Sequence, residues 1–229
     1  MTPNETSTRG LLEQIFHFSF TTLAANGLTM IQGIVVLRLV EPSVYGLWAG
    51  LALVIEYGAY LHIGLIPGLE RSIPFFNGMK RPDLEQQADE TCRHNLLILA
   101  LGGLLLLVGA LIMPGTRWSG HVQIGILAAG LSSLIFLGTQ YFMASLKVRR
   151  RFQHVGYIQL LIAFCMNLCL ILIWKFGYYG FCLRAVITAL AGVLIAACLG
   201  NFNRALHFHP RMSLYLLRIG FPLMAIGSA

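Results

Sequence analysis

The chain has 229 residues, of which 57% are hydrophobic and 11% charged, with a mean hydropathy of +0.73. A water-soluble domain carries about a quarter charged residues, so a soluble core of this size is excluded. The net charge of +7 is sorted by loop rather than gathered into one stripe, which argues against nucleic acid as a partner and for a chain that lives in a membrane.

Asp, Glu, Lys and Arg are absent from 14–37, 94–116, 118–146, 152–174 and 185–203, and 42–69 is interrupted only by Glu56. About 20 apolar residues cross the hydrocarbon core as a helix, so each stretch is long enough to span. Barrel strands alternate apolar and polar over roughly ten residues, whereas Leu96–Met113 is apolar or small on every face. The expected fold class is all-α, a polytopic membrane bundle of six transmembrane helices plus the start of a seventh.

The N-terminus, MTPNETSTRGLLEQ, is polar and lacks a basic n-region with a small-residue cleavage site, so no removable signal peptide is read there. The first helix is expected over 15–39, followed by a tight turn at Glu41-Pro42-Ser43. The second is expected over 44–66 and is closed by Pro67-Gly68, because proline removes a backbone donor and glycine accepts a terminal conformation. Asn77-Gly78 marks a turn, and 81–93 reads as a short surface helix with Leu84 and Ala88 on one face. Further spans are expected over 94–113, 122–146, 154–174 and 178–200, with a seventh helix beginning near Met212. Residues 1–200 then form a six-helix lobe. Residues 201–229 form a linker and the opening of a helix that the sequence leaves incomplete.

Twelve of the sixteen Lys and Arg fall on one side of this arrangement, while Arg38, Arg117, Lys175 and Arg184 fall on the other. The positive-inside rule then puts the N-terminus and the even-numbered loops in the cytoplasm. Lys147, Arg149, Arg150 and Arg151 make the densest cluster, which orientation and attraction to anionic headgroups explain without a substrate. The five cysteines give neither a disulfide nor a metal framework; Cys165 and Cys169, one turn apart, read as packing. His207 and His209 lack a third ligand for metal. No cofactor motif, nucleophile motif or His–acid pairing appears, so an enzyme is not expected.

The run Leu37–Gly50, LRLVEPSVYGLWAG, resembles the stretch joining the first two helices in polysaccharide biosynthesis proteins of the O-antigen flippase type. These lie within the multidrug/oligosaccharidyl-lipid/polysaccharide exporter superfamily. EYGAYLHIGLIPGLERSIPFFNGMKRPDLEQ, MASLKVRRRFQHVGYIQLL and LLRIGFPLM are similar to later segments of that family, and Val40-Glu41-Pro42 departs from its usual Leu-Gly-Pro. The resemblance implies a bacterial inner-membrane transporter of two six-helix lobes that moves lipid-linked glycans between leaflets. This chain would be the N-terminal lobe, and the missing C-terminal lobe or a second copy would complete it. Membrane lipids and the lipid-linked glycan are the implied partners. The alternatives are a drug or cation exporter of the same superfamily and a non-transporting membrane scaffold.

Six residues stand out as candidate contacts to a substrate. On the first helix Ser19, Thr22, Asn26, Thr29 and Gly33 recur at steps of three and four, on one face, with Gln32 beside them. Such a stripe suits a water-filled groove that accepts sugar hydroxyls, and equally suits close helix packing. Gln159, Ala163 and Asn167 make a weaker stripe that favours packing. Glu56, the sole acid inside a span, is either a proton- or cation-coupling site or a structural partner for another helix, since an ionisable group at that depth is costly. Arg38 and Arg184, near the outer ends of helices one and six, either meet a pyrophosphate or acidic sugar or snorkel to headgroups. His62 reads as a packing or interfacial histidine rather than a ligand. The candidates are therefore Asn26, Thr29, Gln32, Arg38, Glu56 and Arg184.

Overall fold

A computed structural model of the protein describes residues 3–112, 120–199 and 207–227. The expected outer turn at 114–121 lies mostly outside the described residues, as do most of the linker after 200, Arg117 and Arg204. The described chain is all-α: α1 (Pro3–Leu39), α2 (Pro42–Gly58) with a short 3-10 turn at Ala59–His62, α3 (Leu65–Gly78), α4 (Pro82–Ile112), α5 (Gly120–Val148), α6 (Phe152–Leu168), α7 (Leu170–Phe176), α8 (Tyr178–Leu199) and α9 (Pro210–Gly227). Six segments among the described residues are long and apolar enough to cross a membrane: Glu13–Leu39, Pro42–His62, Pro82–Gly109, Gly120–Val148, Phe152–Phe176 and Tyr178–Leu199. The protein is a multi-pass membrane bundle.

α5 is the central post. It packs against α2, α3, α4, α6 and α8, while α1 lies along α6 and α9 lies across α3 and α4. Glycine permits the closest approaches. A Cβ on Gly156 would strike the Thr21 side chain, which seats α1 on α6. A Cβ on Gly220 would overlap the Gly64 carbonyl, and one on Gly68 the Leu216 carbonyl, so α9 and the start of α3 touch backbone to backbone. Small residues serve this purpose where lipid supplies no hydrophobic drive between helices.

Three expectations are corrected. The second span does not run to Pro67. It ends where Ile63 (φ 48°) and Gly64 (φ 87°) both turn left-handed, and the Gly64 N–H donates to His62 Nδ1 at 3.1 Å. Pro67 then falls in the first turn of α3, where its missing N–H costs nothing. α3 itself is a helix that the sequence reading did not separate, with Leu65, Leu69, Ile73 and Phe76 buried on one side. The surface helix at 81–93 and the span at 94–113 are one helix of 31 residues. No breaker separates them, and the buried ridge Ala88, Cys92, Leu96 runs through the junction.

The largest core cluster joins α3, α4, α5 and α9 around Leu69, Ile73, Cys92, Tyr141 and Leu216. Charges interlock beside it, at what we call the basic end. Asp89, 5% exposed, accepts from Tyr141 Oη at 2.8 Å and from Arg149 at 3.4 Å. Glu90, also buried, accepts from Gln86 at 2.7 Å and meets His207 Nδ1 at 3.1 Å. Asn95 Nδ2 donates to Ser213 Oγ at 2.7 Å, fastening α4 to α9. Lys147 and Arg149 of the basic run are therefore engaged within the protein rather than wholly offered to lipid.

Candidate functional site: a polar groove within the bundle

Two adjoining cavities run along α5 and share Phe136, Thr139, Ile162 and Met166 in their walls. The first, about 300 Å³, lies between α2 and α8 and is lined by Trp48, Glu56, Ser132, Phe181, Arg184 and Thr188 among others. The second, about 390 Å³, lies toward the basic end and is lined by Asn26, Thr29, Glu70, Gln140, Lys147 and Gln159 among others. Together they form one groove, and five of its walls come from helices α1, α2, α5, α6 and α8. At the basic end Glu70 and Lys147 also line an open vestibule of about 800 Å³ with Asn77 and Arg150. Their side chains pair at 3.7 Å, so this ion pair stands between vestibule and groove.

Four of the six candidates meet here: Asn26, Thr29, Glu56 and Arg184. Asn26, Thr29 and Glu56 are exposed at the groove's rim, and the Thr29 hydroxyl donates to the Ala25 carbonyl at 2.9 Å. The expected stripe on the first helix is an edge rather than a buried face. Buried instead are Thr21, Ala25, Gln32 and Val36, rotated by about a quarter turn from the stripe at 3.6 residues per turn. Thr22 donates to Gln159 Oε1 at 2.8 Å across the α1–α6 seam, while Ser19 and Gly33 are exposed. Asn167 donates to carbonyls of Ala163 (2.8 Å) and Leu28 (3.4 Å), which ties the same seam.

The other candidates separate from the groove. Gln32 is 7% exposed, with no partner for its Oε1, and lies outside both cavity linings. Arg38 is exposed in the last turn of α1 and lines neither cavity. Arg184 does not snorkel. It is 8% exposed and lines the cavity between α2 and α8, where Trp48 stacks on Phe181 at 5.1 Å.

Sequence reasoning missed several groove residues, Ser132 and Thr188 among them. Thr139, 3% exposed, has an unpartnered hydroxyl and lines both cavities. Gln140 follows it, and Glu70 closes the basic end. The adjacent polar pair Thr139-Gln140, deep in a charge-free stretch, was the available signal. Glu70 was hidden because α3 had not been recognised. No group of three His, Cys, Asp or Glu side chains that could hold a metal occurs among the described residues. The chain matches no protein-family model, no curated protein and no solved structure.

Proposed function

We propose that this chain is one lobe of a transporter that carries lipid-linked oligosaccharide or polysaccharide precursors across a bacterial inner membrane by alternating access, without catalysing a reaction. The observation that carries the proposal is the groove. Hydrocarbon-facing helices are expected to hide polar groups or pair them, yet Asn26 and Glu56 stand exposed along one groove rim, with Thr29 beside them bonded only to its own helix. A rim of this kind calls for a facing surface, and a second lobe or a second copy would supply it. Rocking of two such units around a site between them is how alternating access works. Side-chain amides and hydroxyls suit sugar hydroxyls, and the resemblance of LRLVEPSVYGLWAG to the flippase segment points the same way. On this reading the basic end is cytoplasmic.

The test is reconstitution with a fluorescent polyprenyl-pyrophosphate oligosaccharide, whose movement between leaflets is read by access of a membrane-impermeant quencher. The lobe together with its facing partner should move the glycolipid, and Asn26→Leu should slow that movement. A reporter cysteine at Arg150 should be shielded from outside reagents and one at Lys175 labelled. Glu56 in the groove wall favours one second reading, a cation or drug exporter. Uptake of an organic cation with no glycolipid movement would decide for that alternative.

A further inference from the structure

On the side of α5 turned away from the polar groove lies a second groove, apolar and about 500 Å³, with walls from α4, α5 and α8. The two grooves share no lining residue. Leu134, Gly138 and Tyr141 of α5 look into this one, whereas Ser132, Phe136 and Thr139 look into the other. Steps of three and four keep each set on its own helix face. Gly138 keeps the floor low and lets α8 approach, since a Cβ there would press on Val193. Leu96 and Leu137 are buried in the wall, while Leu97 and Leu190 stand 47% and 45% exposed as its two rims.

The groove has two unlike ends. Past Ala100, α4 closes on α5: a Cβ on Gly103 would overlap the Leu134 side chain, and one on Gly130 the Leu107 side chain. The other end is the basic end, and there stands Arg93, the one charged residue in the wall among the described residues. Asp89 and Glu90, just before it on α4, are turned inward at 5% and 4% exposure, so the charge shown at this mouth is positive. Between these ends, from Phe142 to Leu134, the wall runs about 12 Å along α5 at 1.5 Å per residue. That is close to the ~15 Å of hydrocarbon in one leaflet of a bilayer.

Length, polarity and volume together select the occupant. A helix about 10 Å across would need roughly 900 Å³ over the same length, more than the groove holds, whereas an extended acyl chain is thinner. A cation fixed between helices at the basic end attracts an anionic headgroup, and the planar fork of arginine matches two phosphate oxygens at once. We propose that the groove between α4, α5 and α8 binds an anionic phospholipid of the leaflet at the basic end. One acyl chain lies over Gly138 toward Leu134, and the headgroup phosphate meets Arg93. The proposal does not rest on the transport reading, because none of these residues lines the polar groove.

The test is quenching of a single tryptophan by brominated lipids in vesicles, with Trp48, Trp118 and Trp174 replaced by Phe. The reporter is Leu97→Trp on the groove rim; the control is Leu23→Trp on α1, where Leu23 is 71% exposed and lines neither groove. At position 97 brominated phosphatidylglycerol should show about fivefold higher relative affinity than brominated phosphatidylcholine, the pull of one basic residue on an anionic headgroup. At position 23 the two lipids should quench alike. Arg93→Gln should abolish the preference at 97 and leave 23 unchanged, and Arg93→Lys should keep most of it. Equal quenching by the two lipids at 97 overturns the site, because the groove then holds only passing lipid. So does a preference at 97 that survives Arg93→Gln.

A second variant tests the seat of the chain with Arg93 in place, and decides the matter should Arg93→Gln fail to fold. Ala100→Phe fills the groove toward its closed end and should lower the phosphatidylglycerol preference at 97 to that at 23. An undiminished preference in Ala100→Phe overturns the groove as the seat of the acyl chain. A reporter at 97 that neither lipid quenches, together with cysteine cross-links between copies through Leu190→Cys, also overturns the proposal and makes this face an interface between copies of the chain.

Discussion

The basic end and the groove treat buried charge in opposite ways. At the basic end Asp89 and Glu90 are each held by two partners, drawn from α5 and the residue after it, from the segment before α9, or from one turn away on α4, and α4, α5 and α9 share the largest core cluster. In the groove Arg184 and Thr139 are as deeply buried, and neither side chain has a hydrogen-bond or ion-pair partner among the described residues. Buried polar groups fully satisfied fix one arrangement of a fold; left open they are a standing cost that a ligand can relieve. One region holds the bundle together, and on the proposed reading the other receives a substrate.

The comparison breaks first at Asp89. Asp89→Ala removes the buried carboxylate to which Arg149 and Tyr141 donate, and we expect a loss of about 3 kcal/mol, the low end for a broken buried pair because Arg149 still reaches water. Thermal unfolding in detergent would show it, and an unchanged midpoint would mean that the network does not stabilise the bundle. Next is Gly220→Leu, which forces α9 off the Gly64 carbonyl. Overpacking of this kind costs about 2 kcal/mol, and faster proteolysis after Met212 should report the release of α9. Arg184→Met should act in the opposite direction. Removing a buried charge that has no partner among the described residues should stabilise the protein by about 1 kcal/mol, with a raised melting midpoint. A lowered midpoint would place Arg184 with the structural charges. The smallest effect belongs to Thr22→Val, which removes the hydrogen bond to Gln159. We expect roughly 0.6 kcal/mol, the average for such bonds between membrane helices, with the groove unaltered.

The six spans were legible because charge is excluded from hydrocarbon, and that exclusion leaves a mark in any reading of the sequence. The ends of the helices were less so. Pro67, Gly68 and Pro74 look like breakers, yet Pro67 occupies a first turn and Pro74 is carried inside α3, whose amphipathic face is paid for by α9 and α4. The actual break at Ile63–Gly64 depends on a β-branched residue in a left-handed conformation, which no propensity favours. The buried face of α1 lies a quarter turn from its polar stripe, and the sequence did not mark it for a different reason. In a membrane both lipid and protein interior are apolar, so polarity does not say which side of a helix is inside; Thr21 is buried because Gly156 leaves room for it. Glu56 and Arg184 were legible as charges out of place, but their meeting in one cavity required the packing of α2 and α8 on α5.

The pair Glu70–Lys147 also fixes something about rates. Its side chains are 39% and 44% exposed and 3.7 Å apart, so its rupture costs under about 1 kcal/mol, a factor of roughly five in population at room temperature. A barrier that low is crossed freely on the timescale of side-chain rotation. Opening of this ion pair is therefore fast, and on the proposed transport reading the slow event lies in the rearrangement of whole helices rather than at this threshold.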